Sequence, residues 1–143
     1  MAGNSSNGHI VDRVVVTENE SAARRAYDRA DYVLCFLLAH ALVESLLRAF
    51  LSRTGRERFE DLISAYGTYL RSQGQSNADF VEELTQFNRR RNRVIHDLWK
   101  QGYSATNQVL EPSCRAAFLM LGLLIDWLET FDPEIAETGF QFE

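Results

Sequence analysis

The run Arg91-Asn92-Arg93-Val94-Ile95-His96 gathers the side chains of this chain best suited to chemistry on a phosphodiester. A histidine, with an ordinary pKa of about 6.5, exchanges protons near neutral pH. An arginine stays charged, and its fork binds two phosphate oxygens at once. Together they supply what strand transfer within RNA needs without a metal. A base takes the 2′ proton, the 2′ oxygen attacks the adjacent phosphorus, an acid protonates the leaving 5′ oxygen, and a cation holds the phosphoryl oxygens. Asn92 would orient His96 or donate to phosphate. Arg89, Arg90 and Arg93 make this the densest basic run in a chain of net charge −5. So acidic a chain is no general nucleic-acid binder, and any contact with RNA must come from a local basic patch. These three arginines read either as a solvated face or as contacts along the backbone of an RNA.

The run falls within a helical pattern expected over residues 78–100. On an ideal wheel Phe80, Leu84, Phe87, Val94, Ile95 and Leu98 share one arc, with Val81 and Trp99 at its edges, which is the expected core face. Arg91 falls inside that arc and breaks it. An arginine is rarely buried without a partner, because an unpaired interior charge is costly. Glu44 is the first candidate partner, with Asp31 and Asp28 next. His96 stands five residues after Arg91, about 140° further round the helix. Either the long arginine side chain sweeps back toward the histidine, or two copies of the helix face each other and four side chains converge. One chain supplies one such histidine, whereas two chains supply two histidines and two arginines.

Four major helices joined by short turns are expected around this one, in an all-α, up-and-down bundle. Residues 1–16 read as a disordered or extended lead-in, with residues 11–16 able to form a short strand. A single helical domain spans residues 17–131, and an acidic tail spans 132–143, where Phe140 and Phe142 could dock on a groove. A first helix is expected over about 19–53, whole or broken once, and it is apolar on nearly every side from Val33 to Leu51. Such a helix is enclosed by others or by a second subunit. Its one polar row is His40, Glu44 and Arg48, four residues apart; His40 is read as bonded to Glu44 or a backbone carbonyl, or as lining the same cleft as Arg91. Further helices are expected over about 56–72 and 112–131, with residues 103–108 as a loop. Trp99 and Trp127 read as core or dimer-interface residues.

The motif and its placement late in the third helix resemble the R-x4-H motif of the HEPN superfamily, in the form with a polar residue, often Asn, after the arginine. The resemblance implies a helical bundle of four to five helices that dimerises with its motifs facing each other. It further implies a metal-independent endoribonuclease leaving 2′,3′-cyclic phosphate ends, of the kind found in toxin–antitoxin and antiviral systems. Arg91 and His96 would be the catalytic pair, with Asn92, Glu44 and His40 as accessory polar residues and Arg89, Arg90 and Arg93 on RNA. One toxin branch carries a tyrosine two residues after the histidine. Leu98 stands there in this chain, so the resemblance does not extend to that branch.

Other classes fit less well. Cys35 and Cys114 each sit in an apolar run without metal-finger spacing, so buried free thiols in a reducing cytoplasm are expected, with no metal and no cofactor. The apolar stretch 116–125 is too short to span a bilayer, which takes about 20 residues. The expected partners are RNA, a second copy of the chain and an antitoxin or neighbouring defence protein. Two alternatives compete: a non-catalytic HEPN-like module that binds a nucleotide, RNA or protein, and an antitoxin-type subunit whose acidic surface masks a basic partner.

Overall fold

A computed structural model describes residues 13–51, 56–75 and 78–131. It is an all-α bundle of five helices: α1 (Arg13–Asp28), α2 (Tyr32–Phe50), α3 (Phe59–Ser72), α4 (Ala78–Gln108) and α5 (Glu111–Phe131). The terminal segments, including Phe140 and Phe142, and the side chain of Trp127 lie outside the described residues.

α2 is the central helix and packs against all four others. Its composition explains this. Val33, Cys35, Phe36, Ala39, His40, Leu42, Val43, Leu46 and Leu47 are buried, and together they cover most of its circumference. With 19 residues and a mean hydropathy of 1.8, α2 is long and apolar enough to cross a membrane by length and composition. It is longer than the apolar stretch at 116–125. In the bundle half of the apolar stretch in α2 is buried against the other helices, while Leu34 stays exposed. Phe36 stacks edge-to-face on Phe87 of α4, with ring centroids 5.5 Å apart. Burying a side chain of this size contributes about 2 kcal/mol.

The first helix expected over 19–53 is broken once, into α1 and α2. The chain turns at Arg29–Asp31, where Ala30 takes a φ of 61°. The expected strand at 11–16 is absent from its described residues, because α1 begins at Arg13. Val16, Glu20 and Ala23 are all buried. That three-to-four-residue spacing favours a helix and overrides the strand preference of the valines.

Residues 103–108 are helical rather than a loop. α4 breaks at Gly102 alone (φ 87°, ψ 174°), a backbone conformation glycine adopts without strain, and then resumes. The extra turn is held by partners distant in sequence. Asn107 Nδ2 donates to Ala30 O at 2.8 Å, and Val33 N donates to Asn107 Oδ1 at 2.9 Å. Asn107 thus caps α2 from another helix, where Asp31 makes no side-chain cap bond. Asp31 instead accepts a hydrogen bond from the Tyr103 hydroxyl. Each such bond contributes about 1 kcal/mol, and together they fasten the end of α4 to the α1–α2 corner.

Cys35 and Cys114 are buried free thiols. The fold brings them side by side from α2 and α5, which their spacing did not reveal. Cys114 Sγ donates to Tyr32 O at 3.2 Å. The bond between the thiols, together with burial, pushes Cys114 well above the usual thiol range, and the same bond draws Cys35 down.

Candidate functional site

Every residue of the motif lies on one unbroken stretch of α4, since the only non-helical position in that helix is Gly102. The side facing α2 carries the buried Phe80, Leu84, Phe87 and Val94. Arg91 lies on this side and is half-buried, as its place in the apolar arc required. Ile95 and Leu98 are partly buried at its margin.

The expected partner of Arg91 is wrong. Glu44 is bound to Arg48, one turn on in the same helix, at 2.6 Å. Arg48 also reaches Glu57 Oε1 at 3.2 Å and Glu57 O at 3.1 Å. A local pair four residues apart forms with little loss of freedom, so Glu44 stays with Arg48. Asp31 is engaged by Tyr103, and Asp28 is exposed. Among the described residues Arg91 forms no ion pair, and its Nε is buried without a hydrogen-bond partner.

The neighbour of Arg91 is His40 of α2, which is only 4% exposed. His40 does not bond Glu44 or a backbone carbonyl through Nε2, which has no partner. Its ring sits between Phe59, at 4.6 Å in an edge arrangement, and Phe87, at 4.9 Å. Burial, followed by the charge of Arg91, pushes its pKa from 6.5 down to about 4, and the Asn88 amide opposes this only in part. Asn88 Oδ1 is likewise buried and unpartnered. His40, Asn88 and Arg91 therefore form a polar cluster inside an apolar wall. Of these, Asn88 was not singled out from the sequence. Its only signal was its place three residues before Arg91, which puts both on one side of the helix.

The low pKa of His40 has a sign that can be measured. Between pH 4 and 6.5 the unfolded chain binds this proton and the folded chain does not. Stability from this group is therefore complete above about pH 6.5 and is lost as pH falls through about 4. Unfolding by urea is expected to show wild type losing about 3 kcal/mol more than His40→Gln between pH 7 and pH 4. Equal losses in the two proteins would refute a neutral, buried His40.

The opposite side of α4 is exposed. Arg89, Arg93, His96 and Lys100 fall within an arc of roughly 60°, and all four are exposed. Asn92 is exposed beside them, and Arg90, also exposed, flanks the arc on its other side. Trp99, expected in the core or a dimer interface, is 89% exposed and so lies outside the core of the single chain. At the edge of the apolar arc the wheel alone could not say on which side it would fall. Its indole lies next to Asn92 on the wheel, within the flank of the basic strip. Within one chain, then, Arg91 and His96 lie on different sides of α4. Among the described residues no group of three or more His, Cys, Asp or Glu side chains is placed to hold a metal ion.

Comparison with protein-family models, with curated proteins and with solved structures gives no match. The likeness to the HEPN superfamily rests on the motif and its position in the helical bundle.

Proposed function

We propose that this chain is a metal-independent endoribonuclease of HEPN type, a cytoplasmic toxin or antiviral-defence effector whose site combines Arg91 and His96 from the two chains of a homodimer. The observation that carries this reading is the state of Arg91. It is a half-buried cation that forms no ion pair among the described residues, in the middle of a helix whose other side presents Arg89, Arg93, His96 and Lys100. An uncompensated guanidinium attracts a phosphate strongly, because local low polarity weakens screening.

In the proposed mechanism the RNA backbone runs along the exposed strip, where Arg89 and Arg93 meet phosphates. Trp99 offers a face for a base to stack on. His96 removes the 2′ proton, its counterpart in the second chain protonates the leaving 5′ oxygen, and Arg91 holds the phosphoryl oxygens as charge builds. The requirement for two chains follows from the angle between Arg91 and His96 on one helix. Leu119 and Leu123 of α5, one turn apart and 71% and 54% exposed, give the bundle an apolar stripe of the sort that subunit contacts cover.

The same angle favours a second reading. A single chain does not bring Arg91 and His96 to one point, so the domain would then bind RNA, a nucleotide or a partner such as an antitoxin or neighbouring defence protein without cutting. Incubating purified protein with RNA in EDTA separates the two. Cleavage leaving 2′,3′-cyclic phosphate ends supports the nuclease, and binding with the RNA intact supports the module.

A further inference from the structure

We propose that His40 and Asn88 are positioning residues that form a neutral clamp on Arg91, orienting its guanidinium toward a phosphate-class anion without cancelling its charge. This deepens the nuclease reading, in which Arg91 holds the phosphoryl group.

Three buried polar atoms in this cluster lack partners: Arg91 Nε, Asn88 Oδ1 and His40 Nε2. Their chemistry is complementary. Arg91 Nε is a donor, Asn88 Oδ1 is an acceptor, and a neutral imidazole protonated at Nδ1 accepts at Nε2. None of the three makes a direct hydrogen bond to another. Leaving them unmatched in an apolar wall is costly, so a small side-chain rotation or one bridging water would pair them. Asn88 lies three residues before Arg91 on the same side of α4. His40 reaches the cluster from α2, with its ring held by Phe59 and Phe87 at 4.6 and 4.9 Å. Burial and the charge of Arg91 keep that ring neutral at physiological pH.

The electrostatic consequence follows from which groups are absent. Interior arginines ordinarily meet a carboxylate, which cancels their charge. Here the two carboxylates that the sequence offered as partners are engaged elsewhere, Glu44 by Arg48 and Asp31 by Tyr103, and Arg91 forms no ion pair among the described residues. A guanidinium has five N–H donors, so holding Nε leaves the terminal ones for a ligand. Arg91 is only half-buried, so part of its side chain meets solvent. Two neutral acceptors thus orient the group and leave its full charge for an incoming anion.

The test is a titration of the intact protein with inorganic phosphate, followed by the Arg91 Nε–H resonance in nitrogen-15 NMR spectra. Wild type is expected to show a saturable shift of that resonance. His40→Gln, which keeps a neutral acceptor, is expected to stay within about threefold of the wild-type affinity. Asn88→Asp is nearly the same size and puts a carboxylate against Arg91, so the protein should melt at or above the wild-type temperature while phosphate affinity falls at least tenfold. A merely structural role would make affinity follow stability, and Asn88→Asp separates the two. An Arg91 resonance indifferent to phosphate in wild type, or wild-type affinity in Asn88→Asp, would overturn the clamp. Phosphate binding at Arg91 without RNA cleavage would leave the clamp standing and remove the nuclease.

Discussion

Replacing Arg91 with methionine is expected to stop RNA cleavage and to make the protein more stable. Both effects come from the same property. Arg91 is a cation on the core side of α4, with its Nε buried and no ion pair among the described residues. Removing an interior charge that lacks an ion pair relieves a desolvation cost, and methionine fills similar space beside Phe87 and Val94. His40 can then carry its proton on Nε2 and donate to Asn88 Oδ1, so that neither acceptor is stranded. The expected gain is about 1 kcal/mol, or about 3 °C in melting temperature for a domain of this size. In the proposed reaction the same charge stabilises the phosphoryl oxygens, and losing one such donor typically slows a reaction by about 100- to 1,000-fold. Thermal melting and a cleavage assay on the same preparation read both effects. A variant that is destabilised by more than about 1 kcal/mol, or that cuts at the wild-type rate, contradicts this account of Arg91. Sites that trade stability for function show this pattern, and purely structural residues do not.

Changing His96 to alanine should give a different signature. His96 is exposed, and no hydrogen bond or ring contact holds it among the described residues. Its loss should move stability by less than about 0.5 kcal/mol. In the proposed reaction it transfers protons, so cleavage should fall by about 100- to 10,000-fold. Unchanged cleavage in this variant would remove His96 from the chemistry. The contrast with His40 is useful, because the two histidines have opposite environments. His40 sits inside an aromatic wall, so changing it should alter the dependence of stability on pH. His96 sits on the basic strip, so changing it should alter only the reaction.

Much of the fold was legible in the sequence because it rests on apolar periodicity. The all-round apolar stretch from Val33 to Leu51 foretold a central helix, and α2 is enclosed by α1, α3, α4 and α5. The arc from Phe80 to Val94 foretold the inner side of α4, and Arg91 was visible as the residue that breaks it. Features that depend on contacts far apart in the chain were not legible. The turn at Ala30 and the extra helical turn after Gly102 support each other through Asn107, 77 residues from Ala30. Neither has a local signal strong enough to stand alone. The surroundings of Arg91 were illegible for a related reason. Spacing showed that Glu44 and Arg48 could pair, but it could not show that this local pair would win. Nor could it show that His40, from the same polar row, would turn inward against Phe59 and Phe87. Trp99 was ambiguous at the edge of the arc, and packing placed it in solvent.

The most direct test of the central claim is the rate of RNA cleavage per chain, measured in EDTA across a wide range of protein concentration with the oligomeric state followed in parallel. A site shared by two chains predicts cleavage that leaves 2′,3′-cyclic phosphate ends, with a rate per chain that rises as dimers form and then levels off. Intact RNA in the presence of a well-folded dimer, or a rate per chain unchanged where only monomers remain, would contradict it.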